Sequence, residues 1–234
     1  MNRIKKITAF VLSALLIFSL FIVSPSTVKA DNKVTADKLK SLGLFLGTNN
    51  GYELDRTLTR AEAATLIVRA MGVENQVKNG SFGNQFKDVP SSHWANKQIN
   101  YCYKNGITKG ASSTEFAPGR TITGSEFTTL LMRAMGYTDA EPGTVWTIGV
   151  QKCLFTSKKS DFYKTNNSNF LRDYAVEIIY RALTTKCSNG YTLAENLVTK
   201  GVFKRGQGIE TGVIFQSSGN AMDDLENAIR NKFK

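Results

Sequence analysis

Three stretches of the chain carry the same stripe of apolar residues, and this repetition constrains the fold more than any other feature. The stripes are Ala63, Leu66, Ile67, Ala70 and Met71; Phe127, Leu130, Leu131, Ala134 and Met135; and Ala175, Ile178, Ile179, Ala182 and Leu183. Spacing of i, i+3, i+4, i+7 and i+8 describes one buried face of an amphipathic helix. A single unit of this kind cannot cover its own apolar face, so the three should assemble around a shared centre.

The helix starts are also written locally. Thr59-x-x-Glu62 and Thr123-x-x-Glu126 are capping boxes, preceded by Leu58 and Ile122 at the position of a hydrophobic staple. Gly72 and Gly136 stand where a left-handed terminator is expected. Upstream of each capped helix lies a shorter helical stretch, at 36–42, 94–104 and 144–152. The connectors carry an aromatic, Tyr52 or Phe116, ten residues before the capping glutamate. In the third copy Phe162 or Tyr163 falls near that place after a small insertion. Beyond Lys186 the pattern stops: 192–200 reads as a short helix, 212–215 as a strand and 221–232 as a helix, together a packing appendage.

The front of the chain reads as an export signal. Arg3, Lys5 and Lys6 precede an apolar run over 7–23, followed by Pro25 and the small-residue exit Val28-Lys29-Ala30. Cleavage there would leave a chain beginning at Asp31 without a transmembrane segment; an uncleaved anchor is the alternative. The first thirty residues hold Arg3, Lys5, Lys6 and Lys29 and no acids, so their removal lowers the net charge from +11 to +7. An exported basic protein is placed to meet an anionic polymer or surface rather than nucleic acid.

One histidine, His93, excludes any metal site needing two imidazoles, and cysteines at 102, 153 and 187 lack the spacing of a zinc ribbon. No cofactor is called for. Cys102 and Cys153 read as buried thiols, with a Cys153–Cys187 bridge left open.

Phe86-Lys87-Asp88-Val89-Pro90-Ser91-Ser92-His93-Trp94-Ala95, then Gly106-Ile107, Gly110, Phe116, Pro118 and Ile122-Thr123, strongly resembles a surface-layer homology (SLH) repeat. The first copy lacks that opening but keeps the family's Thr-Arg-Ala-Glu at 59–62; the third is degenerate, with Leu171-Arg172-Asp173-Tyr174 in its place. The resemblance divides the chain into a signal peptide at 1–30, repeats at 31–82, 83–137 and 138–186, and the appendage at 187–234. It implies a mostly α fold, with three helix–loop–helix repeats around a pseudo-three-fold bundle. It also implies a secreted protein of a Gram-positive cell wall that holds an anionic, often pyruvylated, secondary cell-wall polysaccharide in inter-repeat grooves, without enzymatic turnover.

The ligand-binding residues carried over are Arg60, Thr59, Glu62, Arg172, Trp94 and Asp88. Read bottom-up, Thr59 and Glu62 are already explained by capping. Arg60 is not: a cation in the first helical turn opposes the dipole, and its removal should leave stability unchanged or slightly better. A guanidinium beside free first-turn amides is instead a carboxylate receptor. Gly124 offers no such side chain, so the second site should be altered or dead. Trp94 reads as core or as a groove-edge platform for a sugar. Arg69, Arg133 and Arg181 recur near helix C-termini, where the dipole and apolar cover explain them. Two other readings stand beside this one: a structural protein packing against other surface proteins, and a wall-active glycan hydrolase using Asp223, Asp224 and Glu226.

Overall fold

The computed structural model describes residues 32–215. Ten helices run through them: α1 Lys33–Ser41, α2 Arg60–Ala70, α3 Glu74–Asn79, α4 Asn96–Lys104, α5 Gly124–Ala134, α6 Val145–Gln151, α7 Ser157–Thr165, α8 Arg172–Thr184, α9 Leu193–Thr199 and α10 Arg205–Glu210. The expected export signal and the helix at 221–232, with Asp223, Asp224 and Glu226, lie outside the described residues.

The three apolar stripes are the faces of α2, α5 and α8, and α5 packs on both of the others. Leu66, Ile67, Leu131, Phe127, Ile178 and Ile179 are all buried there. Each short helix packs against the capped helix of the preceding repeat rather than its own: α4 on α2, α6 on α5, and α1 on α8. The last pairing joins the first repeat to the third and closes the ring. The capping boxes of α2 and α5 form as read, the Thr59 amide donating to Glu62 Oε2 at 2.8 Å and the Thr123 amide to Glu126 Oε2 at 3.0 Å.

Residues 187–215 strap across the C-terminal ends of these helices. The Ser188 amide donates to the Met135 carbonyl, Lys200 Nζ to the Met71 carbonyl, and Tyr180 Oη to the Thr211 carbonyl. Gly72 permits the close approach: with φ at +65°, a Cβ there would lie 2.3 Å from Val202. Helix α9, at the place read as a short helix, begins with a capping box of its own, Thr192 and Glu195.

The structure corrects several expectations and decides points that the sequence left open. Residues 212–215 are not a strand; the Val213 and Ile214 amides close back on the Gly208 carbonyl at the end of α10, and both side chains are buried. A short apolar run does not distinguish a strand from a buried turn. The insertion in repeat three is a helix, α7, started by the Thr156 side chain, and Tyr163 rather than Phe162 is the buried aromatic. Cys153 is exposed, not buried, and sits at φ +61° where the equivalent Gly106 has φ +68°. Trp94 is not core: it is 61% exposed, stacked on His93. All three cysteines are free thiols, so no Cys153–Cys187 bridge is present.

Candidate functional site

The start of each capped helix is also the junction with the next repeat. In α2 the Arg60 amide donates to the Arg120 carbonyl at 2.9 Å and the Ala61 amide to the Pro118 carbonyl at 3.1 Å. In α8 the Arg172 and Asp173 amides donate to the Arg56 and Leu54 carbonyls. In α5 the Gly124 amide donates to the Asn167 carbonyl, and the Ser125 amide to Asn167 Oδ1 at 2.7 Å. The first-turn amides expected to be free for a ligand are thus occupied by the neighbouring connectors. A helix end buried at an interface must find such partners.

The two arginines follow their amides. Arg60, only 4% exposed, donates from Nε to the Phe116 carbonyl at 2.7 Å and from Nη1 to Glu126 at 3.1 Å, with its guanidinium 4.7 Å from the Phe116 ring centre. Arg172, equally buried, donates from Nε to the Tyr52 carbonyl at 2.9 Å, lies 3.9 Å from Glu62, and covers the Phe45 ring. Tyr52 and Phe116 are the connector aromatics noted from the sequence, so one arrangement is built twice. Arg60 therefore has a structural role that the dipole argument missed, because its partners are 56 and 66 residues away.

Each capping glutamate also receives a second arginine six residues upstream. Arg56 Nη2 reaches Glu62 at 2.6 Å and Arg120 Nη2 reaches Glu126 at 2.5 Å. Sequence reasoning passed over Arg56 and Arg120, although their identical offset from the glutamates was visible. Burial by itself would raise the carboxyl pKa values of Glu62 and Glu126. The Arg56 and Arg120 hydrogen bonds, with those from the Thr59 and Thr123 amides, bring both below the ordinary 4.5. Burial pushes the Arg60 and Arg172 guanidinium pKa values down.

Asp88 accepts from the Phe116 and Ala117 amides at 2.9 and 2.7 Å, so it orients the connector whose carbonyl binds Arg60. At the third junction Phe170 fills the space an arginine would need: a Cβ on Gly124 would lie 2.9 Å from its ring. Trp94 is not brought to any of these junctions.

Beside Arg60 a groove of about 110 Å³ opens, lined mainly by repeat two with Arg60 from repeat one and Glu141 from the start of repeat three, and its charged walls are Arg60, Lys109, Arg133, Glu126 and Glu141. Arg133 is buried, donating to the Ala140 carbonyl at 2.8 Å and pairing with Glu141 at 2.7 Å. Lys109 also pairs with Glu141 while remaining exposed. Arg69 and Arg181 are paired with Glu74 and Glu177 near their helix ends. Among the described residues no group of three or more His, Cys, Asp or Glu could hold a metal, and no helix is long and apolar enough to cross a membrane.

A closed ring of helix–loop–helix repeats, tied at two of its three junctions by buried arginines, defines a cyclic repeat module. Residues 85–128 match the family model of the S-layer homology domain. The chain is 41% identical over 118 residues to Middle cell wall protein of Brevibacillus brevis, a match covering 50% of this chain and 11% of that protein. It is 36% identical over 154 residues to Surface layer protein of Brevibacillus choshinensis, covering 61% of this chain and 13% of that one. Exoglucanase XynX of Acetivibrio thermocellus is 33% identical over 87 residues, 37% of this chain and 8% of the relative. The chain thus spans about a tenth of the length of these relatives. It carries an S-layer homology domain at 85–128 within a repeated helical architecture.

Proposed function

We propose that the chain attaches without covalent chemistry to an anionic, pyruvylated secondary cell-wall polysaccharide through the groove beside Arg60. The observation that carries this reading is the groove's charge: three cations, Arg60, Lys109 and Arg133, stand with two carboxylates, Glu126 and Glu141. An acidic sugar substituent would draw on the outward edge of Arg60 and on Lys109, whose ammonium is exposed. Thr59, Glu62 and Asp88 hold the frame in which the arginines are presented. Arg172 builds the second such junction. Gly124 leaves the third junction without a cation.

Relatives named for a cell wall, a surface layer and a glucanase share only a fraction of their length with this chain. One small segment common to differently named proteins favours attachment over catalysis. The test is a pulldown on protein-free sacculi before and after removal of the non-peptidoglycan polymer. Binding that survives removal overturns the reading, and absence of binding to either preparation favours packing against other surface proteins. Release of reducing ends from purified peptidoglycan would instead establish a hydrolase.

A further inference from the structure

Repeat three departs from the other two by inserting α7, and this helix leaves an open cleft against α6. The cleft is about 290 Å³, lined by Trp146, Thr147, Val150 and Gln151 from α6 and by Ser157, Ser160, Asp161 and Lys164 from α7. The α7 residues recur at i, i+3, i+4 and i+7, one face of the helix. Every side chain on this face is polar: Ser160 is buried, and Ser157, Asp161 and Lys164 are exposed along the cleft.

The floor is rigid. Trp146 lies nearly parallel to the buried Tyr163, at 6.4 Å and 18°, and within 5.9 Å of Phe155. Gly124 abuts it from behind, with Trp146 3.4 Å from where a Cβ would stand. The walls, in contrast, are uncommitted. Ser160 donates to the Trp146 carbonyl, but no side-chain hydrogen bond or ion pair occupies Thr147, Gln151, Ser157, Asp161 or Lys164 among the described residues. This differs from the Arg60 groove, whose charged groups are all paired. One carboxylate and one ammonium leave the cleft without net charge.

We propose that this cleft binds one uncharged pyranose unit of a glycan, independently of the Arg60 groove. A fixed aromatic floor with Val150 beside it matches the C–H face of a sugar ring. Hydroxyl, amide, carboxylate and ammonium groups on both walls match ring hydroxyls in either sense of donation. Few placed polar groups over an apolar surface are what small-ligand sites share, and the volume is just below the usual range for them, which suits one ring. The absence of net charge selects a neutral sugar.

The chain has two tryptophans, Trp94 and Trp146, so Trp94→Phe in the full-length protein makes Trp146 the only indole reporter. Titration with D-glucose, D-galactose, D-mannose and N-acetyl-D-glucosamine should give a saturable emission change with at least one of them. Gln151→Ala and Asp161→Ala, both at the solvent-facing walls, should each weaken that binding at least fivefold without moving the melting temperature. Arg60→Lys should leave it within twofold. Released non-peptidoglycan polymer or digested peptidoglycan should compete, and whichever does so identifies the source of the sugar. Saturation by none of the four sugars overturns the proposal. So does saturation only by D-glucuronate, an effect that survives both wall substitutions, loss on Arg60→Lys, or competition by neither polymer.

Discussion

Replacing Arg60 by alanine separates the local view of this residue from the tertiary one. From its position in the first turn alone, the change should be neutral or slightly stabilising, by about 0.3–1 kcal/mol from the helix dipole. The structure reverses that sign. Arg60→Ala leaves the Phe116 carbonyl without its donor and removes one of two arginines from Glu126. A hydrogen bond to a charged group is worth about 1.5–3 kcal/mol. The cation over the Phe116 ring adds about 0.5–1 kcal/mol. With the dipole relief subtracted, the net loss should be about 2–3 kcal/mol. For a chain of this size, each kcal/mol moves the melting temperature by about 2–4 °C. A fall of about 4–12 °C is therefore expected in thermal melts, larger than for Thr59→Ala, which removes a cap worth about 1 kcal/mol. Arg60→Lys should lie between parent and alanine, since an ammonium cannot serve both acceptors with the geometry of the guanidinium. An Arg60→Ala protein that melts with the parent, or above it, would refute the buried-bridge account.

Lys109→Ala should weaken sacculus binding while costing at most about 1 kcal/mol in urea unfolding, because its pair with Glu141 is exposed; unchanged binding would remove Lys109 from the groove reading. Glu62 and Glu126 have folded pKa values depressed below 4.5, so their contribution is complete above that value and is lost as pH falls through the lower folded values. Urea midpoints should decline across that acid window, and Glu126→Gln should flatten the decline; equal slopes would contradict the assignment. Gly124→Arg should destabilise by about 1–3 kcal/mol against Phe170 and add no sacculus binding; a gain in binding would show that the third junction is open. Cys153→Gly should raise stability by about 0.5–1 kcal/mol by relieving a left-handed backbone, read from the same urea titrations; a loss would mean that the cysteine side chain packs more than its exposure indicates.

The repeat count, the three buried helix faces and the capping boxes of α2 and α5 were legible in the chain because each is a short-range pattern. A cap joins residues three apart, and a helical stripe joins residues three or four apart, so composition within one turn decides them. The ring itself followed from the need to bury three incomplete faces, as α2, α5 and α8 do. What lay beyond the sequence was decided by contacts between repeats. Whether the first-turn amides at Arg60 were free depended on the Arg120 and Pro118 carbonyls of the next repeat. The burial of Arg60 depended on Phe116 and Glu126, residues of the next repeat. Residues 212–215 had the composition of a strand, but the Val213 and Ile214 amides close on the Gly208 carbonyl and their side chains are buried, which makes the segment a turn. Local free energies set where each helix begins and which face it buries; the partners at its ends are chosen only when the ring closes, and in this protein the candidate binding groups sit at those ends.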